Sequence, residues 1–272
     1  MLEVDSQQVI AVLLALNLQA GDSLLVHSAI QYLGRPVGGV AMYLEALQTV
    51  IGPHGNIAVP AFNFAFARGE VDARRWLPLE TPSQGMGAFS EYVRQQPEAR
   101  RSLHPMQSLA VIGPSAADLA ERDTLSAFDH GSAFERLLEL DFKLLLLGAN
   151  VQAVAMIHYS EQRAGVPYRT WKDFQGQVHT GTGWETRTYR MFARDLQADP
   201  RLDLRPLQTE LQARGEWAEI PLNYGQVSTC RLCDFVAAAD RLLAADPWAF
   251  VINREEIKIT SDADDLKEHD SR

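Results

Sequence analysis

The pair His158 and Glu161 has the spacing in this chain that best suits proton transfer. Side chains three positions apart on a helix project from the same face. A carboxylate beside an imidazole stabilises the protonated ring, which suits a general base. The pair follows the apolar run at 142–148, and ligands of open α/β sheets bind beyond the carboxyl ends of strands. The pattern is not the His-Glu-x-x-His zinc signature, and its spacing alone also fits a structural role.

The polar end of a predicted strand and a pair of glycines form a second candidate functional site. His27 and Ser28 close the apolar run at 23–28, and Gly38 and Gly39 precede an amphipathic segment. Loop amides at a helix N-terminus bind anions such as phosphate. Neither the dinucleotide-binding nor the P-loop fingerprint is present, so a tight turn also explains the two glycines.

Three weaker features have structural explanations beside functional ones. His104 and Ser108 lie just before and at the start of a predicted strand, where a surface turn would satisfy the histidine. The turn that ends at Ser132 is explained by helix capping. Cys230 and Cys233 lack the second pair that a structural zinc site requires, and we interpret them as ordinary thiols.

Hydrophobic periodicity predicts alternating helices and strands around these residues. Helices are predicted at 6–18, 40–51, 87–96, 116–123 and after 149, and strands at 23–28, 56–60, 108–113, 142–148 and, as an edge strand, 186–192. Residues 63–81 show no period and predict a long loop, and from 195 the pattern returns to helix. The alternation predicts an α/β fold, a three-layer sandwich with a mixed, largely parallel central sheet. We expect a single domain over 1–260 and a charged tail over 261–272.

Composition narrows the class of partner. The 272 residues can bury a sizeable core, and the formal net charge is −10. Such a charge disfavours nucleic acid, whose binding depends on Lys and Arg, and weakly favours a cationic small molecule. No apolar run approaches the roughly 20 residues of a membrane span, and the N-terminus lacks a basic signal region. We therefore expect a cytoplasmic protein without a membrane partner, and a homodimer is kept as a candidate assembly.

Taken in order, these segments resemble the aminoglycoside 3-N-acetyltransferase family. The matching stretches are GDSLLVHS (21–28), VGGV (37–40), VIGPHGNIAVPAF (50–62), RSLHP (101–105) with Ser108, the Gly131-Ser132 turn, LLLG (145–148), HYSE (158–161) and GVPYR (165–169). The resemblance implies an α/β fold distinct from the GCN5-related acetyltransferases. It also implies acetyl-CoA as co-substrate, direct transfer to the amine of a small molecule, and no metal.

The resemblance also implies roles for individual residues. His158 would be the general base, and Glu161 would orient it or hold a cationic acceptor. The donor would bind at His27, Ser28, Gly38, Gly39, Val40, His104 and Ser108. The acceptor would bind at Asn63, Phe64, Asp129 and Glu185.

The sequence leaves alternatives open for both the acceptor and the reaction class. Arg68, Arg169 and Lys172 would favour an anionic, nucleotide-linked amino sugar, whereas acids such as Glu185 and Asp195 would favour an aminoglycoside. A non-catalytic homologue that only binds CoA or a sugar is a second class. A hydrolase using serine, histidine and glutamate is a third, although no G-x-S-x-G elbow supports it.

Overall fold

A computed structural model describes residues 2–68 and 74–257, so the tail predicted at 261–272 lies outside the described residues. The strands are β1 (Glu3–Val4), β2 (Ser23–Ser28), β3 (Arg35–Pro36), β4 (Asn56–Pro60), β5 (Arg75–Trp76), β6 (Arg100–Arg101), β7 (Leu109–Ile112), β8 (Lys143–Leu147), β9 (Arg169–His179), β10 (Trp184–Arg194), β11 (Ala218–Leu222) and β12 (Gly225–Arg231). The helices are α1 (Ser6–Ala15), α2 (Ala41–Ile51), α3 (Gly87–Arg94), α4 (Ala116–Ala120), α5 (Ala133–Glu139), α6 (Ile157–Ala164), α7 (Arg205–Ala213) and α8 (Leu232–Ala245).

A mixed seven-stranded sheet forms the centre of the fold, in the order β11-β12-β8-β2-β4-β7-β6. The prediction of a mixed α/β fold is confirmed, but the prediction of a largely parallel sheet is wrong. Only β2 pairs in parallel, with β4 and β8, while the other four pairings are antiparallel. The reason is that hairpins, β6–β7 and β11–β12, supply the outer strands, and a hairpin reverses the chain direction without a crossover helix.

Alternating side chains of the central strands belong to two different apolar clusters. Leu144 and Leu146 belong to one cluster, together with residues of α4 to α8. Leu145 and Leu147 belong to the other, together with residues of α1 to α3. Because successive strand residues point to opposite faces, helices cover both faces of the sheet. The distinction from GCN5-related enzymes and the single-domain boundary stay predictions.

A second, three-stranded sheet in the order β10-β9-β5 packs beside the first. The predicted edge strand at 186–192 is confirmed as part of β10. The predicted loop at 63–81 holds a short 3-10 turn, Phe64–Ala67, and β5. The prediction of a helix from residue 195 is wrong, because the chain stays irregular until α7. Pro206 lies in the first turn of α7, a position where proline suits the start of a helix.

The turn after α6 brings the start of β9 back beside α6. Gly165 ends α6 in the left-handed conformation (φ 60°), which a glycine adopts without a Cβ penalty. The chain then reverses through Val166 and Tyr168, both buried, into β9. Arg169, the first residue of β9, consequently lies beside α6. Among the described residues, no helix has the length and apolar character needed to cross a membrane.

Candidate active site

His158 and Glu161 face each other on α6, as their spacing predicts. The distance from His158 Nδ1 to Glu161 Oε2 is 2.6 Å. The glutamate side chain is fully buried, whereas 29% of the histidine side chain is exposed. The ring of Phe128 packs edge-on against the imidazole, with centroids 5.9 Å apart. The histidine is therefore held in place on one side and open on the other.

Both oxygens of Glu161 are occupied. The hydroxyl of Tyr168 donates to Oε1 at 3.0 Å, and Arg169 Nη2 lies 2.9 Å from Oε2. Burial would raise the pKa of Glu161, but His158 and Arg169 outweigh it and hold this pKa below its ordinary value. Burial also raises the pKa of Tyr168, so the phenol keeps the proton that it donates. Glu161 is thus a buried carboxylate anion with three partners.

The contact with Glu161 favours one tautomer of His158. A carboxylate can only accept, so a hydrogen on His158 Nδ1 would be donated to Glu161 and the Nε2 lone pair would stay free. Arg169 Nη2 also lies 3.1 Å from Nδ1, and Arg169 Nη1 donates to the carbonyl of Phe192 on β10. In the tautomer with its hydrogen on Nδ1, His158 can accept a proton from a bound amine at Nε2.

His158 opens onto a small cavity at the carboxyl ends of β2 and β4. We call it the apolar cavity; it has a volume of about 150 Å³ and is lined by His27, Pro60, Phe62, Met86, Gln152, Ala153, Val154, Ala155, Ile157, His158, Leu202 and Leu204. His27 is buried, and its Nε2 has no hydrogen-bond partner. Burial, and to a lesser extent His158, lowers the pKa of His27 to about 3, so this second imidazole is neutral. The position fits the rule that α/β sheets bind ligands at carboxyl strand ends.

A second cavity adjoins the first. We call it the loop cavity; it has a volume of about 320 Å³ and is lined by Ser28, Ile30, Gln31, Gly34, Pro36, Val40, Gly87 and Ala88. The Ser28 hydroxyl is buried and has no hydrogen-bond partner. Gly38 and Gly39, at φ 94° and 75°, form the exposed turn that leads into α2. The lining of the loop cavity includes Ser28 and Val40, the residue before α2, but neither Gly38 nor Gly39. The assignment of these residues to a donor site stays a prediction.

His104 and Ser108, also predicted at the donor site, line neither cavity. His104 is buried rather than at a surface turn, and its Nδ1 accepts from the Gln107 amide at 3.0 Å. The Ser108 hydroxyl donates to the Ala61 carbonyl at 3.0 Å and accepts from Arg101 at 2.9 Å. Their polar atoms are thus already used inside the protein, and the geometry gives both residues structural roles.

The residues predicted at the acceptor site are spread out. Asn63 caps the 3-10 turn through the Ala65 amide, at 2.8 Å, and Phe64 packs edge-to-face on Phe62 of the apolar cavity. Asp129 accepts from Gln162, at 2.8 Å, on the helix that carries His158. None of these three residues is among those that line the apolar cavity, and their role toward an acceptor stays a prediction.

Glu185 lies at the other end of the second sheet. It ion-pairs with Arg187, whereas Arg169 pairs in register with Arg194, nine residues further along β10. A strand of that length spans roughly 30 Å. Glu185 therefore lies far along β10 from the end that approaches His158, and its role at the acceptor site stays a prediction.

Sequence reasoning missed the role of Arg169. It assigned this arginine to an anionic acceptor, but only 8% of the side chain is exposed and its charge is paired with Glu161. The signal available was the short stretch GVPYR, which follows the His-x-x-Glu pair closely. A glycine followed by an arginine so soon after a helix is consistent with a chain reversal that returns a cation to the buried carboxylate.

Comparison with known proteins shows to which family the chain belongs. Residues 25–244 match the family model described as aminoglycoside 3-N-acetyltransferase. The chain belongs to the aminoglycoside 3-N-acetyltransferase family. This membership confirms the resemblance carried by the ordered motifs, and the matched range includes the His158–Glu161 pair and the lining residues of both cavities.

Individual members of the aminoglycoside 3-N-acetyltransferase family are similar in sequence and in fold. An aminoglycoside N(3)-acetyltransferase III of Salmonella sp. is 34% identical over 174 residues, 59% of this chain and 61% of the relative. The chain thus matches about three fifths of the length of that curated relative. AAC-IIIb, solved in a binary complex with CoASH, shares the fold at 23% identity, with a TM-score of 0.79 over 92% of this chain and 99% of that chain. A histidine-to-alanine variant of AAC(3)-IVa in complex with apramycin has 25% identity and a TM-score of 0.74, over 92% of this chain and 96% of that chain.

Proposed function

We propose that this protein is an acetyl-CoA-dependent N-acetyltransferase that acts on an amine of an aminoglycoside or a related amino sugar. The observation that carries the proposal is His158, which is anchored through Nδ1 by a buried carboxylate and opens onto a cavity beside the loop cavity. Membership of the aminoglycoside 3-N-acetyltransferase family supports the reaction class. The CoASH complex of AAC-IIIb supports CoA as the carrier of the acyl group.

In the proposed reaction, His158 acts as the general base. The amine nitrogen attacks the thioester carbonyl carbon while His158 Nε2 takes a proton from it. When the tetrahedral intermediate collapses, the carbon–sulfur bond breaks, and the imidazolium returns the proton to the departing thiolate. The products are an amide and CoASH, and the enzyme is unchanged. A positioned base of this kind typically contributes about a hundredfold to ten-thousandfold in rate.

The loop cavity is the proposed donor site. α2 begins without a side-chain cap, so amides of its first turn remain available beside Gly38, Gly39 and Val40. Free amides at a helix N-terminus attract phosphate groups. Ser28, whose hydroxyl has no partner in the protein, would donate to the thioester or its oxyanion. His27 would line the path to His158 as a neutral group.

The pairing of Arg169 with Glu161 bears on the acceptor. An anionic, nucleotide-linked amino sugar was favoured by three cations, and one of them, Arg169, is neutralised inside the protein. A cationic aminoglycoside also suits the net charge of −10. We therefore place the aminoglycoside first. A cytoplasmic location, independence of metal and a homodimer remain predictions.

The variant His158→Ala tests the assignment. We expect turnover, measured as CoA thiol release, to fall at least a hundredfold, while CoASH affinity measured by calorimetry changes less than threefold. His130→Ala is the matched control, because the His130 side chain is 95% exposed and also pairs with a glutamate, Glu135. The acceptors would be a panel of aminoglycosides and nucleotide-linked amino sugars.

The outcomes of that assay distinguish between hypotheses about the base, the acceptor and the reaction class. Unchanged turnover in His158→Ala would remove this histidine from the mechanism. Thiol release with nucleotide-linked amino sugars alone would keep the chemistry and replace the acceptor. If no acceptor leads to thiol release although CoASH binds measurably, the protein would be a non-catalytic CoA-binding homologue.

A further inference from the structure

The lining of the apolar cavity is unusual for a site next to a polycationic substrate. Apart from His27, His158 and Gln152, the residues that line it are apolar. The Gln152 amide is already used at both ends: Nε2 donates to Asp203 at 2.8 Å, and Oε1 accepts from the Leu204 amide at 3.1 Å. No carboxylate belongs to the described lining, so an ammonium group that entered would find no side chain of opposite charge. The cavity is matched to an uncharged, apolar group.

The volume of the apolar cavity exceeds what an acetyl group needs. It is about 150 Å³, and an apolar cavity of that size can hold a benzene molecule, which has six carbons. An acetyl group has two carbons. The remaining volume corresponds to several methylene groups.

The apolar cavity and the loop cavity share a wall made of neighbouring residues. His27 lines the former and Ser28 the latter at the end of β2, and Met86 and Gly87 do the same at the start of α3. A Cβ at Gly87 would lie 3.4 Å from the Ser28 carbonyl oxygen, so the glycine keeps this shared wall free of a side chain. A donor held in the loop cavity can therefore extend its acyl end past this junction toward His158.

We infer that the apolar cavity receives the acyl chain of the donor, and that the donor class includes CoA thioesters of about four to six acyl carbons. The inference rests on the proposed CoA-dependent acyl transfer. The chemical step is the same for every chain length: the carbon–sulfur bond breaks, a carbon–nitrogen bond forms, and CoASH leaves with the proton.

Calorimetric binding of CoASH, acetyl-CoA, butyryl-CoA and hexanoyl-CoA to the whole protein tests this without an acceptor. Burial of each added methylene should tighten binding about fourfold until the cavity is full. Butyryl-CoA, with two more methylenes, should therefore bind about sixteenfold more tightly than acetyl-CoA.

Two variants locate the chain. Ala153 lies at the exposed rim of the cavity, so Ala153→Leu should abolish most of the gain for butyryl-CoA and hexanoyl-CoA while CoASH affinity changes less than threefold. Leu202→Ala enlarges the cavity and should shift the tightest binding toward hexanoyl-CoA. Ala117→Leu, at an exposed position of α4, is the matched control and should bind all four ligands like the unaltered protein.

The outcomes separate this inference from the proposed function. Failure of CoASH to bind would overturn the proposed function itself. CoASH binding with affinities that stay flat or fall from acetyl to hexanoyl would overturn only the acyl-chain inference. A chain-length gain that neither Ala153→Leu nor Leu202→Ala changes would also overturn it, because the chain would then lie elsewhere.

Discussion

Glu161 carries the strongest electrostatic constraint at the site. A fully buried carboxylate is costly unless hydrogen bonds and an opposite charge compensate it. Tyr168 and Arg169 provide that compensation and hold the two oxygens in fixed directions. Arg169 pairs with the same carboxylate oxygen that contacts His158 Nδ1, so the orientation of His158 depends on the direction in which Glu161 is held.

We therefore predict that Arg169 is a positioning residue that holds Glu161, and through it His158, in place. In Arg169→Gln the buried Glu161 carboxylate loses its cation, so its hold on the His158 ring should loosen, and kcat should fall at least about tenfold while CoASH affinity in calorimetry changes less than about threefold. Arg169→Lys keeps a positive charge and should restore most of the lost kcat.

The difference between the effects on kcat and on CoASH affinity separates this role from a merely structural one. Both variants are first compared by thermal unfolding, and turnover is measured below the lower midpoint. A general loss of packing would weaken CoASH binding together with kcat, and Arg169→Lys would not restore either. An unchanged kcat in Arg169→Gln would contradict the prediction.

At the scale of elements, periodicity predicted those parts whose signal is local. The strands β2, β4, β7 and β8 and the helices α1 to α4 follow apolar periods in the sequence, whereas the two-residue strands β3, β5 and β6 carry no such signal. The His158–Glu161 pair needs only one helical turn. β9 was missed, because polar and charged residues dominate its sequence and its pairing is set by β10. The contact of Arg169 with Glu161 depends on the reversal at Gly165, and spacing along the chain does not encode such a tertiary contact.

The turn before α2 gives a prediction at the same scale. Gly39 has φ 75°, and no atom lies within 4 Å of the position that a Cβ would take, so a side chain there would point into open space beside the α2 amides. We expect Gly39→Val and Gly39→Asn both to weaken CoASH binding tenfold or more in calorimetry, because either side chain obstructs a phosphate. Asn tolerates the left-handed conformation, so only the Val variant should also lose about 1–2 kcal/mol of folding stability.

Gly21→Asn is the matched control for the Gly39 variants. Gly21 also has a positive φ, 92°, and open space around its Cβ position, but it precedes β2 rather than α2. This variant should bind CoASH normally. Normal CoASH affinity in both Gly39 variants would overturn the assignment of the phosphate loop.

At the scale of the whole molecule, two buried histidines link stability to pH. Burial lowers the pKa of His27 to about 3 and that of His104 to about 4, against an ordinary value near 6.5. Between these values the unfolded chain binds protons that the folded chain does not. Folding stability therefore falls as the pH drops below about 6.5, and each histidine contributes to the slope until its folded pKa is reached.

His104→Asn tests this linkage. When the pH falls from 7 to 5, each of the two histidines should lower the free energy of unfolding by about 2 kcal/mol. This range lies above the pKa values of carboxylates in the unfolded chain. The asparagine keeps an acceptor for the Gln107 amide but cannot titrate, so the fall between the two pH values should shrink by about 2 kcal/mol. The measurement is urea unfolding at both pH values, with His54→Asn, at an exposed turn, as the control for loss of an imidazole. An equal fall in His104→Asn and in the unaltered protein would show that His104 takes up its proton in the folded state, which its complete burial against Tyr189 should prevent.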